Sequence, residues 1–97
     1  MEKTLNSARN ELLCQMLQDA RIAAGLTQVQ LAAKLNVHQT EVSRAERGIT
    51  RVDLLELYDF LEAMKVPLLE FVAELEDRLK AMSQRNRLAA LTRRRRL

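Results

Sequence analysis

Thr27 to Gly48 reads TQVQLAAKLNVHQTEVSRAERG. The spacing predicts two short amphipathic helices, roughly 28–35 and 39–47, joined by a tight turn at Asn36, Val37 and His38. Thr27 followed three positions later by Gln30 has the form of a capping box, which specifies the first helix start. Leu31, Ala32 and Leu35 make one apolar stripe, and Val42 and Ala45 make another, with Val37 between them. Helices of two turns do not survive alone, because nucleation costs more than so few hydrogen bonds return. The rest of the chain must supply a bundle for them to lean on.

Composition supports an all-α bundle. The chain has 97 residues, the size of one small domain with an appended element. Two glycines (Gly25, Gly48) and one proline (Pro67) leave few breakers, while Ala, Leu, Glu, Gln and Arg abound. The lone Cys14 has no internal disulfide partner, which fits a reducing cytoplasm. There is no basic-then-apolar leader, and no apolar run approaches the roughly 18 residues of a membrane span. A soluble cytoplasmic protein with no membrane partner is expected.

The formal charge of +3 hides a strong segregation. Residues 21–51 carry five basic against two acidic side chains, residues 53–77 one against eight, and residues 85–97 six arginines and no acid. Two basic surfaces separated by an acidic belt suggest a polyanionic partner. The belt taken alone is adequately explained as a solvated helix surface.

Upstream, Leu5, Ala8, Leu12, Leu13, Met16, Leu17, Ala20 and Ala24 recur at spacings of three and four. A first helix is expected from near Asn6 or Ser7 to Gly25, with Leu13, Leu17 and Ala20 inward and Cys14 in or near the core. Downstream, residues 49–52 form a loop and Asp53 starts a helix to about Lys65. Leu54, Leu57, Phe60, Leu61 and Met64 are its apolar face. Pro67 suits the first turn of a last helix. No breaker follows, so residues 68–92 are expected to form one helix of roughly 36 Å. Val72, Leu75, Leu79, Met82, Asn86 and Ala89 then make a heptad seam with one Asn at an a-type position, a device that fixes register in parallel dimers. The expected dimerisation residues are Leu75, Leu79, Met82 and Asn86. The alternatives are a helix that packs back on its own bundle or frays after Ser83. Arg93 to Arg96 are expected to be a flexible basic tail.

The second short helix has a divided surface. At 100° per residue Val42 and Ala45 point one way, flanked by Glu46 and His38. Gln39, Thr40, Ser43, Arg44 and Arg47 point the other way. Such a face suits a DNA major groove: Gln pairs with the adenine N6/N7 edge, Arg with guanine O6/N7, and a Thr methyl with the thymine methyl.

Arg21-Ile-Ala-Ala-Gly25-Leu-Thr27-Gln28, Leu31-Ala32, Leu35, Val37, Val42-Ser43 and Glu46-Arg47-Gly48 together resemble the phage repressor and Cro helix-turn-helix family, the XRE type. Leu57, Phe60-Leu61, Ala63-Met64 and Val66 continue the resemblance, which covers about residues 13–71. Three positions depart from the pattern. Asn36 and Lys65 stand where glycine is common, and His38 stands where Ser or Thr usually caps the second helix. The resemblance implies a five-helix bundle of the lambda-repressor-like type over residues 5–71, with the extended C-terminal helix over 72–92 and the basic tail over 93–97. It implies that residues 39–47 are the recognition helix, with Gln39, Thr40 and Arg44 touching base edges. Gln28, Ser43, Arg47 and Arg51 would meet phosphates. Arg21 and Glu46 match a pair that forms an internal salt bridge in relatives.

The expected function is a sequence-specific DNA-binding regulator, a repressor acting as a homodimer on a palindrome in double-stranded DNA. The competing reading is an antitoxin that binds a partner protein through its C-terminal segment and regulates its own operon. One His, one Cys and no phosphate loop give no basis for catalysis, a metal or a cofactor.

Overall fold

The computed structural model describes the backbone of residues 2–95 and the side chains of residues 8–86 and Leu88. Five helices follow in order: α1 (Glu2–Ala23), α2 (Gln28–Leu35), α3 (Gln39–Glu46), α4 (Leu54–Ala63) and α5 (Leu68–Arg95). There is no strand among the described residues. The core gathers Met16 and Leu17 from α1, Leu31 and Ala32 from α2, Val42 from α3, Leu57 and Leu61 from α4, Met64 from the turn that follows, and Phe71 from α5. Each short helix is held by one or two fully enclosed residues, which offsets the nucleation cost that would otherwise melt it.

Helix boundaries follow local chemistry. The Thr27 hydroxyl accepts from the Gln30 amide at 3.1 Å, and the Thr27 amide donates to Gln30 Oε1 at 2.9 Å. Asp53 and Glu56 build a second reciprocal box at α4, at 2.8 and 3.0 Å. Four helices share one ending, in which a left-handed residue and its successor donate back into the last turn. At α1 Gly25 donates to the Ile22 carbonyl and Leu26 to that of Arg21; at α3 Gly48 donates to Ala45 and Ile49 to Arg44. At α2 and α4 the left-handed residues are Asn36 (φ 59°) and Lys65 (φ 63°). These are the two positions where the sequence lacks the family's glycine. The backbone keeps the turn, and Lys65 bears the steric cost of about 1–2 kcal/mol.

Several sequence expectations shift. α1 begins at Glu2 rather than near Asn6, and the side chains of residues 5–7 lie outside the described set. Its inward face centres on Met16 and Leu17, with Leu13 and Ala20 at the edges. Leu54 is 65% exposed instead of core-facing, because it occupies the first turn of α4, ahead of Leu57 where core contact begins. α5 remains helical through Arg95, so Arg93 to Arg95 belong to the helix rather than to a tail; Arg96 and Leu97 lie outside the described residues. Among the described residues Leu75 is the last of α5 packed against the core. Leu79 and Met82 beyond it are half-buried and Asn86 is exposed; the side chain of Ala89 lies outside the described set.

Candidate nucleic-acid interface

α3 divides as its sequence demands. Val42 and Ala45 are buried, and Glu46 is buried beside them. Gln39, Thr40, Arg44 and Arg47 are exposed and Ser43 is half-buried. His38 has the extended N-cap conformation but makes no side-chain cap bond, so the recognition-type helix starts without the closure seen at α2 and α4.

Behind this face runs a chain of polar contacts from the core to the surface. Arg21 and Glu46 form a two-pronged ion pair, Nε to Oε2 at 2.6 Å and Nη2 to Oε1 at 3.1 Å, with both residues 9% exposed. Arg21 Nη1 also donates to the Leu26 carbonyl at 2.9 Å, so the guanidinium ties together the end of α1, the α1–α2 turn and the end of α3. Glu46 Oε1 accepts from Gln28 Nε2 at 3.0 Å, and Gln28 Oε1 accepts from Gln39 Nε2 at 2.6 Å. Gln28 and Gln39 open α2 and α3 respectively, and the bond between them fixes where the first residue of α3 holds its amide. Gln39 retains Oε1 and one N–H of Nε2, the acceptor and donor needed for the adenine edge.

The remaining candidates surround it. Arg47 Nε donates to Ser43 Oγ at 3.2 Å, which places both side chains along one side of α3. Arg44 and Arg51 line one cleft between α3 and α4 together with the carboxylates Glu41, Glu56 and Asp59 and with Leu35, Val37, Val52 and Phe60. No ion pair engages Arg44, Arg47 or Arg51 among the described residues. Unpaired guanidinium groups on one side of a small bundle are what an anionic surface would neutralise.

Two further residues hold the C-terminal end of α3. The Cys14 thiol donates to the Ala45 carbonyl at 3.2 Å. Burial pushes its pKa up, with the Glu11 and Glu46 carboxylates adding to the rise, so it is a protonated packing group rather than a nucleophile. Gly48 sits against it at φ +75°, and a Cβ there would lie 2.9 Å from Asn10 Nδ2 and 3.5 Å from Cys14 Sγ. Gly48→Ala is expected to destabilise the fold by about 1–2 kcal/mol, read as a lower urea midpoint at unchanged slope. A neutral outcome would mean that the turn after α3 is not held in this conformation.

The sequence reading missed the link that Gln28 makes. Gln28, expected at a phosphate, bridges Glu46 and Gln39 through its amide and keeps one N–H for another partner. The signal was a glutamine at the first position of each short helix, but only the packing of α2 on α3 brings them together. Among the described residues no cluster of side chains is arranged to hold a metal, and no helix is long and apolar enough to cross a membrane.

The helix-turn-helix family profile matches residues 17–71. An uncharacterized transcriptional regulator in the ATPase CF(0) region of Rhodospirillum rubrum is 34% identical over 62 residues, 64% of this chain; the chain spans 57% of that relative. An XRE-family like protein from Pseudomonas syringae pv. tomato str. DC3000 superposes with TM-score 0.72 at 37% identity, over 78% of this chain and 93% of that one. The wild-type restriction-modification controller protein C.Esp1396I superposes with TM-score 0.69 at 22% identity, over 75% and 95% of the two chains, a likeness of fold. The matched span contains both short helices, the Arg21–Glu46 pair and every residue of the exposed α3 face; the chain belongs to the XRE-type helix-turn-helix family of DNA-binding transcription regulators, not of enzymes.

Proposed function

We propose that this chain is a cytoplasmic repressor that reads a palindromic operator as a two-fold dimer, with α3 in the major groove. The observation that carries the reading is the open polar face of α3, braced from behind by the Arg21–Glu46–Gln28–Gln39 chain. Gln39, Thr40 and Arg44 meet base edges, Gln39 on adenine and Arg44 on guanine, while Ser43, Arg47, Arg51 and the remaining Gln28 N–H take phosphates. Bracing matters because a groove-reading amide held in place loses less entropy on binding than a free one. One such unit covers few base pairs, so two half-sites roughly 34 Å apart and a dimer are needed. Leu75, Leu79, Met82 and Asn86 on α5 supply the dimer contacts. Repression follows from occupying DNA that the transcription machinery needs.

The test separates reading from attraction. Arg44→Ala should weaken operator binding by about 1–3 kcal/mol and relax one base position, whereas Arg47→Ala should weaken specific and random DNA alike and flatten the salt dependence. Equal losses on both DNAs for Arg44→Ala would overturn its assignment. The second reading, an antitoxin whose C-terminal segment binds a protein, is favoured by the length of α5 that continues past Leu75, the last core contact among the described residues. Deleting residues 84–97 decides between them: retained dimer and operator binding with loss of a co-purifying protein supports the antitoxin.

A further inference from the structure

Glutamine or glutamate stands at the third position of α2, α3 and α4 alike, as Gln30, Glu41 and Glu56. In α2 and α4 that side chain folds back onto the amide of the cap residue, Gln30 Oε1 accepting from Thr27 at 2.9 Å and Glu56 Oε1 from Asp53 at 3.0 Å. α3 departs from the pattern. His38 has no side-chain cap bond, and the Glu41 carboxylate accepts no hydrogen bond and joins no ion pair among the described residues. Glu41 is exposed and lines the cleft beside Arg44, its neighbour three residues further along the same helix. It also follows Thr40 directly, so it adjoins two of the residues assigned to base edges. The dipole of α3 favours an acid in this turn. On DNA the same free charge opposes every phosphate that comes near it, unless an amino group meets the carboxylate.

Resting on the major-groove placement of α3 proposed above, we infer that Glu41 is a further specificity-determining residue, whose carboxylate accepts from the N4 amino group of a cytosine beside the guanine that Arg44 reads. An ionised carboxylate only accepts hydrogen bonds, and cytosine is the base whose major-groove edge only donates. Guanine presents two acceptors there and thymine an acceptor and a methyl group, so both leave the charge unmatched. Adenine offers an amino group, but its N7 acceptor lies beside it and repels the second carboxylate oxygen. Glu41 therefore discriminates as much by what it rejects as by what it bonds, because a free carboxylate lowers affinity for every sequence that brings no cytosine to it. Asp59 shares the cleft but belongs to α4 rather than to the groove-reading helix, so its charge acts on DNA without reading it.

Selection of bound duplexes from a random pool by wild type, Glu41→Gln and Asp59→Asn tests the assignment. Wild type should fix a cytosine next to the guanine whose requirement Arg44→Ala relaxes. Glu41→Gln should lose that cytosine. Its preference for the wild-type duplex over a scrambled one, read by fluorescence anisotropy between about 50 and 200 mM salt, should fall at least about fivefold. Asp59→Asn removes one negative charge from the same cleft, so it should strengthen binding to both duplexes alike and keep the cytosine. Circular dichroism melts of both variants should match wild type, since neither carboxylate is bonded within the fold among the described residues. A clearly destabilised Glu41→Gln would place Glu41 in the cap of α3 and overturn its reading role. A Glu41→Gln protein that selects the wild-type sequence, or that shifts both duplexes equally as Asp59→Asn does, overturns the assignment of Glu41 alone. A wild type that selects no sequence from the pool overturns the groove reading of α3 and the role of Glu41 with it.

Discussion

Glu46→Ala is expected to lower the unfolding free energy by about 3–5 kcal/mol, enough to leave much of a small domain unfolded at physiological temperature. The carboxylate is enclosed, with its side chain 4% exposed, and it is the charge partner of an Arg21 side chain 10% exposed. Removing it strands a guanidinium that keeps only the Leu26 carbonyl and leaves Gln28 Nε2 without its acceptor. Stranding a buried charge costs far more than the net worth of the pair, so Arg21→Ala should be nearly as damaging. The double variant Arg21→Ala with Glu46→Ala should cost clearly less than the two losses added. Urea unfolding of the four proteins closes this cycle. A loss below about 1 kcal/mol for Glu46→Ala would mean that water reaches the pair, since that is the range of exposed ion pairs. Glu46→Gln keeps the acceptor for Gln28 and should fall between. If any folded Glu46 variant is recovered, Gln39 is no longer braced, and specificity at its base should soften before non-specific affinity falls.

How much of this was legible in the sequence depends on the range of the interaction. The start of α2 is written in Thr27 and Gln30, three positions apart, whose side chains and amides satisfy one another, and the structure keeps both bonds. The absence of a cap at His38 is equally local and equally present. The left-handed turns at Gly25 and Gly48 follow from the one residue type that adopts them freely, whereas Lys65 at φ 63° gives no such signal and was expected only through the family pattern. The buried placement of Glu46 was readable from its angle beside Val42 and Ala45. The bridge Gln39–Gln28–Glu46 was not, because it joins residues 11 and 18 positions apart whose distance is set by the crossing of two helices. Leu54 misled for a related reason: periodicity states which side of a helix a residue occupies, but not how far along the helix the core extends. The length of α5 was legible because no breaker follows Pro67.

Leu31→Ala is the second large effect, about 2–5 kcal/mol, and its consequence reaches the α3 face without touching it. Leu31 is fully enclosed and is the largest buried side chain of α2, the helix that packs against both α3 and α4. Truncation removes three carbons from a site where rigid helices on two sides limit collapse, so a cavity term adds to the lost transfer free energy. α2 has eight residues and no means of persisting once it loosens, so the loss is not absorbed locally. A chain of this size shifts its melting temperature by roughly 4–8 °C per kcal/mol, which predicts a fall of about 10–30 °C by calorimetry or circular dichroism. Leu31→Met, which nearly conserves volume, should cost less than about 1.5 kcal/mol. Operator affinity of both variants, measured well below their melting temperatures, should separate anchoring from reading. Gln28 rides on α2 and holds Gln39, so Leu31→Ala should lose more affinity for the operator than for random DNA, and Leu31→Met should lose little of either. Equal specific and random losses in Leu31→Ala would show that α2 carries α3 only as ballast and does not position its amide.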